Sequence, residues 1–112
     1  MKLQIEGQHL RVRIGEEELA ELLAGRAVEA VTQCADVFAI RYSLELTPVD
    51  AATLSGSPAT WRIAIPEAQV RDHAARLPTR EGLRFVLPGA REEDSLQLLF
   101  DVDVRDSVRR RR

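Results

Sequence analysis

The longest alternating stretch of the chain is residues 38–46, which read Phe38-Ala39-Ile40-Arg41-Tyr42-Ser43-Leu44-Glu45-Leu46. Apolar side chains at every second position predict a β-strand with one buried face, because successive side chains of a strand point to opposite sides. We expect Phe38, Ile40, Tyr42 and Leu44 to point inward. Arg41 and Ser43 should then be clearly more exposed.

Similar patterns extend in both directions from this strand. They predict seven strands, at Lys2–Glu6, His9–Ile14, Val28–Gln33, Phe38–Leu46, Trp61–Ile65, Leu83–Leu87 and Leu96–Val104. Helical spacing of apolar residues predicts helices at Glu16–Ala24 and Glu67–Arg76. Residues 47–60 contain two Pro and several Ser and Thr, which is typical of a loop.

The order of these segments determines the expected fold class. The order of elements that begins at His9 is strand, helix, strand, strand, and the same order begins again at Trp61. This repetition suggests a pseudo-repeat of the topology. We predict an α+β domain of about seven mostly antiparallel strands and two helices. The strands would form a strongly curved sheet or a partly closed barrel. The domain would span residues 1–105, followed by a flexible basic tail at 106–112.

Composition is that of an ordinary globular domain, with 112 residues, 45% of them hydrophobic and 30% charged. A single cysteine excludes an internal disulfide, and no apolar run approaches the ~20 residues of a membrane span. We therefore expect a cytoplasmic protein with no membrane partner. The use of 15 Arg and one Lys indicates a bacterial genome rich in GC.

The charge distribution argues against a nucleic-acid partner. The formal net charge is −2, although the chain ends in Arg109, Arg110, Arg111 and Arg112. The rest of the chain is therefore acidic, whereas nucleic-acid binding needs a basic face. Only weak contact by the four terminal arginines is expected.

Few residues could carry catalysis. The histidines His9 and His73 and the cysteine Cys34 lie far apart without a ligand or nucleophile motif, so we predict no metal site, no cofactor and a protein that is more plausibly not an enzyme. We expect Cys34 to be a small buried residue. His9 and His73 should lie on the surface of a strand and of a helix, respectively.

Arginines form the most suggestive pattern. Five of them occupy the polar faces of predicted strands: Arg11, Arg13, Arg41, Arg62 and Arg84. If those strands present one surface, the guanidinium groups could bind or process an anion such as phosphate. The alternative is a solvated sheet face on which arginines pair with Glu45, Glu6 or Asp101.

The opening K-L-x-I-x-G-x-x-L-R-V-R resembles a group of short bacterial proteins of unknown function, which begin with a similar basic hairpin. Further matches are Val28-Glu29, Tyr42-x-Leu44, Ile63-x-Ile65-Pro66 and Leu96-x-Leu98-Leu99. Members of that group continue their last strand into an acidic segment, whereas this chain runs into Arg109–Arg112. The resemblance implies no activity.

Two function classes follow. The first is a non-enzymatic domain that contacts other proteins and self-associates, since many short strands leave edges to be covered. The second is an anion- or phosphate-binding domain that uses the arginine face.

Overall fold

The computed structural model describes residues 1–104 and has an α+β architecture, as predicted. Its strands are β1 (Lys2–Glu6), β2 (His9–Gly15), β3 (Val28–Cys34), β4 (Phe38–Thr47), β5 (Thr53–Ser57), β6 (Thr60–Pro66), β7 (Leu83–Leu87) and β8 (Leu96–Asp103). The helices are α1 (Glu16–Leu23) and α2 (Glu67–Ala75), and a short 3₁₀ turn spans Glu92–Asp94. The predicted basic tail at 106–112 lies outside the described residues.

The strands form two separate four-stranded sheets. Sheet A has the order β1-β2-β8-β7, and sheet B has the order β3-β4-β6-β5. Each sheet joins two antiparallel hairpins through a central parallel pair, β2 with β8 or β4 with β6. The prediction of one curved sheet or partly closed barrel of about seven strands is therefore wrong. Helix α1 leads from the β1–β2 hairpin of sheet A to sheet B, and helix α2 leads from the β5–β6 hairpin of sheet B back to sheet A. Strands β2 and β3 are therefore neighbours in sequence but not in a sheet.

The two halves of the chain repeat the same order of elements. Residues 2–47 run strand, strand, helix, strand, strand, and residues 53–103 do the same. The registers of the central strand pairs also match. In sheet A, Val12 lies three residues before Gly15, which precedes helix α1, and pairs with Phe100. In sheet B, Ile63 lies three residues before Pro66, which precedes helix α2, and pairs with Leu44. We call residues that share a register or helix position in the two halves quasi-equivalent.

Alternation along the central strands builds one core. Ile40, Tyr42 and Leu44 are buried and Arg41 is exposed, which confirms the predicted register of β4. The prediction that Phe38 belongs to the inward set is wrong: it is 49% exposed, because β4 extends beyond its neighbour β6, whose pairing with it begins only at Arg41. The core cluster draws apolar side chains from both sheets and both helices.

Helix α1 begins where the sequence places its acidic first turn. Glu18 accepts a hydrogen bond from the backbone N–H of Gly15 at 3.0 Å, which satisfies a donor at the start of the helix. Glu16, Glu17 and Glu18 also complement the positive end of the helix dipole. Leu19 and Leu22 then face the core, so the helix carries an apolar side between the two sheets.

Strand β5 lies inside the segment predicted to be a loop. All five of its residues are exposed, and its sequence Thr-Leu-Ser-Gly-Ser has no buried alternation. It forms because the backbone pairs antiparallel with β6. Ladder hydrogen bonds, rather than side-chain burial, therefore hold this edge strand.

Gly56 in β5 should not tolerate a side chain. Its φ is +111°, and a Cβ would lie 2.0 Å from the carbonyl oxygen of Thr60. We expect Gly56→Ala to lower the free energy of unfolding by about 2–3 kcal/mol, since this backbone region is restricted to glycine. Urea denaturation followed by circular dichroism measures it.

Gly7 provides a matched control for this prediction. It lies in the β1–β2 turn with a φ of +55°, and a Cβ there meets nothing within 4 Å. Gly7→Ala should cost only about 1 kcal/mol, the ordinary penalty of a left-handed conformation. Equal losses in the two variants would contradict the packing argument at Gly56.

Candidate functional site

The five arginines of the predicted anion site are divided between the two sheets. Arg11 and Arg13 lie on β2 and Arg84 lies on β7, on the polar face of sheet A. Arg41 on β4 and Arg62 on β6 belong to sheet B. The structure therefore brings together Arg11, Arg13 and Arg84 on sheet A, where Arg11 and Arg84 line one cavity, and does not gather all five on one sheet.

An acidic residue occupies the space between the two neighbouring arginines. Asp101 on β8 accepts a hydrogen bond from Arg11 Nη2 at 2.6 Å, and its Oδ1 lies 3.5 Å from Arg13 Nε. The hydrogen bond, and then the negative charge of Asp101, raise the pKa of Arg11 above its ordinary value. The cluster of Arg11, Arg13 and Asp101 therefore keeps one excess positive charge.

A similar ion pair occurs at the quasi-equivalent place in sheet B. Arg62, quasi-equivalent to Arg11, has its Nε 3.5 Å from Glu45 Oε1. The predicted alternative of cross-strand pairs with Asp101 and Glu45 is thus confirmed. Arg41 and Arg84 are exposed and have no acidic partner among residues 1–104. Pairing thus neutralises part of the positive charge of the five arginines, and Arg41 and Arg84 keep theirs.

The two polar sheet faces carry different chemistry at equivalent places. A cavity of about 320 Å³ on sheet A is lined in part by Arg84 and Gln97. A cavity of about 420 Å³ on sheet B has Glu29 and Arg41 at the corresponding positions. The two halves therefore share backbone geometry at these positions but differ in charge.

The structure corrects two expectations about single residues. His73 was predicted to lie on the helix surface, but it is 2% exposed and packs its ring edge-on against Phe100 with centroids 6.3 Å apart. Cys34 was predicted to be buried and is exposed, because it ends β3 beyond the part of sheet B that β6 covers.

Burial also determines the protonation of His73. Loss of solvation lowers the pKa of its imidazole, and the positive charge of Arg76 lowers it further. The charges of Asp101 and Asp72 act in the opposite direction but are weaker. His73 is therefore a neutral imidazole at pH 7.

A second groove lies where β8 extends beyond β7. It has a volume of about 370 Å³ and lies between the segment Thr79–Glu81, helix α2 at His73, and the cluster of Arg11, Arg13 and Asp101. Sequence reasoning missed Arg80 and Glu81, which lie on an irregular connection with no periodicity. Val70 and His73 occupy the same positions in α2, counted from its first residue, as Leu19 and Leu22 occupy in α1. This match could have indicated that His73 is buried.

Within residues 1–104 no group of three or more His, Cys, Asp or Glu side chains could hold a metal ion. Neither described helix has the length and apolar character that crossing a membrane requires.

Comparison with known proteins gives no further assignment. The chain matches no family model, no curated protein and no solved structure.

Proposed function

We propose that this chain is a non-enzymatic interaction domain that self-associates by pairing edge strand β3 with β3 of a second copy. The observation that carries the proposal is the character of β3, which is a long and weakly charged edge with exposed apolar side chains. An exposed edge strand presents unpaired backbone N–H and C=O groups, which favour the addition of another strand. The exposed thiol of Cys34 on this strand fits the reducing cytoplasm that we propose as its location.

The other three edge strands are better protected. Strand β1 has a charged residue at each end, Lys2 and Glu6, and the five-residue β7 carries Arg84. Strand β5 also has five residues and is interrupted by Gly56. Strand β3 has seven residues, and Glu29 is its single charge. It is therefore the edge with the fewest features that oppose pairing.

Apolar side chains continue from β3 to the tip of its hairpin. Val31 is 57% exposed, Val37 at the turn is 90% exposed, and Phe38 is 49% exposed. The β3–β4 hairpin extends past the end of β6, so β4 is not paired with β6 before Arg41. A partner strand at β3 could cover part of this apolar surface in addition to forming the ladder.

The side chains of β3 are complementary to those of a second β3. Antiparallel pairing about a two-fold axis at Val31 places Val31 opposite its own copy, and Ala30 opposite Thr32 of the second copy. Glu29 then lies opposite Gln33 of the second copy, so a carboxylate meets an amide donor. No like charges face each other, which supports a second copy as the occupant.

Val31→Lys tests the proposal. Across the two-fold axis this variant places two like charges in direct opposition, and such pairs destabilise a sheet. Sedimentation velocity should show a dimer of the 12.6 kDa chain for the unmodified protein. The variant should raise the dissociation constant at least about tenfold, which corresponds to 1.4 kcal/mol.

The matched control is Val86→Lys on β7. Val86 is quasi-equivalent to Val31, lies on an edge of sheet A and is 61% exposed. Val86→Lys should leave the dissociation constant of the dimer unchanged. A monomeric unmodified protein at all concentrations, or equal effects of the two lysines, would overturn the proposal.

A further inference from the structure

The two halves differ at the connection from each helix to the strand that follows it. Four residues, 24–27, link α1 to β3, whereas seven residues, 76–82, link α2 to β7. Two substitutions accompany the longer connection. His73 replaces the quasi-equivalent Leu22 at the seventh position of the helix, and Arg13 replaces Ala64 three residues before the helix. A symmetric framework needs neither of these polar residues.

These differences meet in one place, the groove of about 370 Å³ between Thr79–Glu81, His73 and Arg13. We call it the asymmetric groove. Its volume falls at the small end of the range for small-molecule sites, about 300–1,000 Å³. These differences between the two halves therefore surround a cavity of the size of a small ligand.

Polar groups with incomplete hydrogen bonding line the asymmetric groove. Within residues 1–104, Arg11 Nε is buried and has no hydrogen-bond partner, and the buried Arg13 Nε and Asp101 Oδ1 form an ion pair at 3.5 Å but no hydrogen bond. His73 is 2% exposed, lines the groove, and makes no side-chain hydrogen bond in the same part of the chain. Buried polar groups are nearly always paired, so unpaired ones indicate a site for water or a ligand.

Charges of both signs define what the groove can bind. Guanidinium groups come from Arg11, Arg13 and Arg80, and carboxylates come from Glu81 and Asp101, with Asp103 also lining the groove. A simple anion would approach these carboxylates, and a simple cation would approach the guanidinium groups. A ligand that carries a positive and a negative group close together avoids both penalties.

We propose that the asymmetric groove binds a small zwitterion of the α-amino-acid type. The ligand carboxylate accepts hydrogen bonds from Arg13 and Arg80. Its ammonium group donates to Asp101 and Glu81. The neutral imidazole of His73 closes the inner wall. This binding activity is separate from the pairing of β3, which lies in the other sheet.

Isothermal titration calorimetry with the standard α-amino acids, tested singly at pH 7 and constant ionic strength, examines the proposal. At least one should bind with saturation. The N-acetyl and the amide derivatives of the amino acid that binds most tightly are then titrated. The first lacks the ammonium group and the second lacks the carboxylate, so each should bind at least about tenfold more weakly. Absence of binding across the panel overturns the proposal. Full retention by the N-acetyl form does so too, because the site would then be an anion site.

Arg13→Ala tests the placement of the ligand. The substitution copies Ala64 of the other half, so the backbone geometry accommodates it. Affinity for the tightest amino acid should fall at least about tenfold. The control Arg62→Ala removes an arginine from the polar face of sheet B and should leave affinity unchanged. Unchanged affinity in Arg13→Ala, with the circular dichroism spectrum retained, would overturn the assignment to this groove.

Discussion

Phe100→Ala should lower the free energy of unfolding by about 3–5 kcal/mol, the cost of deleting a large buried aromatic side chain. Phe100 is fully buried at the centre of β8, where it pairs with Val12 on β2 and Leu83 on β7. It also contacts the ring of His73. The shortened side chain would leave a cavity between sheet A and helix α2, and β8, which is held by ladders to β2 and β7, cannot move to fill it.

The quasi-equivalent residue provides the control for this substitution. Leu44 occupies the same register position in sheet B and is also fully buried. Phe100→Leu therefore introduces a side chain that this framework already packs, and it should cost clearly less than the alanine variant. Urea denaturation measures both. A loss below about 1 kcal/mol for Phe100→Ala would contradict the placement of β8 at the centre of the core.

Alternation along the chain predicted the central strands well. In β4 three of the four residues predicted to point inward, Ile40, Tyr42 and Leu44, are buried, because a strand with one buried face must repeat with period two, whereas Phe38 is exposed. Both helices also begin at the predicted residues, Glu16 and Glu67. These features depend on local geometry, which the sequence expresses directly.

The arrangement of the sheets could not be predicted in the same way. The central pairs join β2 to β8 and β4 to β6, and the first of these connects residues about 90 positions apart in sequence. Parallel pairing leaves no turn motif between the partners, unlike the Gly7-Gln8 turn of the first hairpin. Strand β5 was missed because an exposed edge strand needs no apolar alternation.

The candidate site was predicted only in part. The sequence identified Arg11 and Arg13 as neighbours on one face, and the possible role of Asp101 as their partner. It misplaced His73, because helical spacing also allows Val70, Ala74 and Leu77 to be the inward set of this helix, and a histidine on a helix is more often exposed. The comparison of the two halves resolves this ambiguity, since Leu22 shows that the seventh helix position faces the core.

Acid should destabilise this protein partly through His73. Burial lowers the pKa of its imidazole in the folded state below the value of about 6.5 in the unfolded chain. As the pH falls, the unfolded state therefore binds the proton first. The contribution of neutral His73 to stability is complete above the unfolded pKa and is lost as the pH falls toward the folded pKa.

His73→Leu should remove this dependence and stabilise the fold. Leucine copies Leu22 and carries no polar atom, so at pH 7 the variant should gain about 1–3 kcal/mol, because it removes the cost of burying the polar imidazole. Below the unfolded pKa the gain should grow further, by about 1.4 kcal/mol for each pH unit between the unfolded and folded pKa values. Urea denaturation at several pH values, comparing the two proteins at each, separates this effect from general carboxylate titration. His9→Leu, at an exposed histidine of β2, is the control for the removal of one histidine. A constant difference between His73→Leu and the unmodified protein at every pH would contradict the burial of a neutral imidazole at this position.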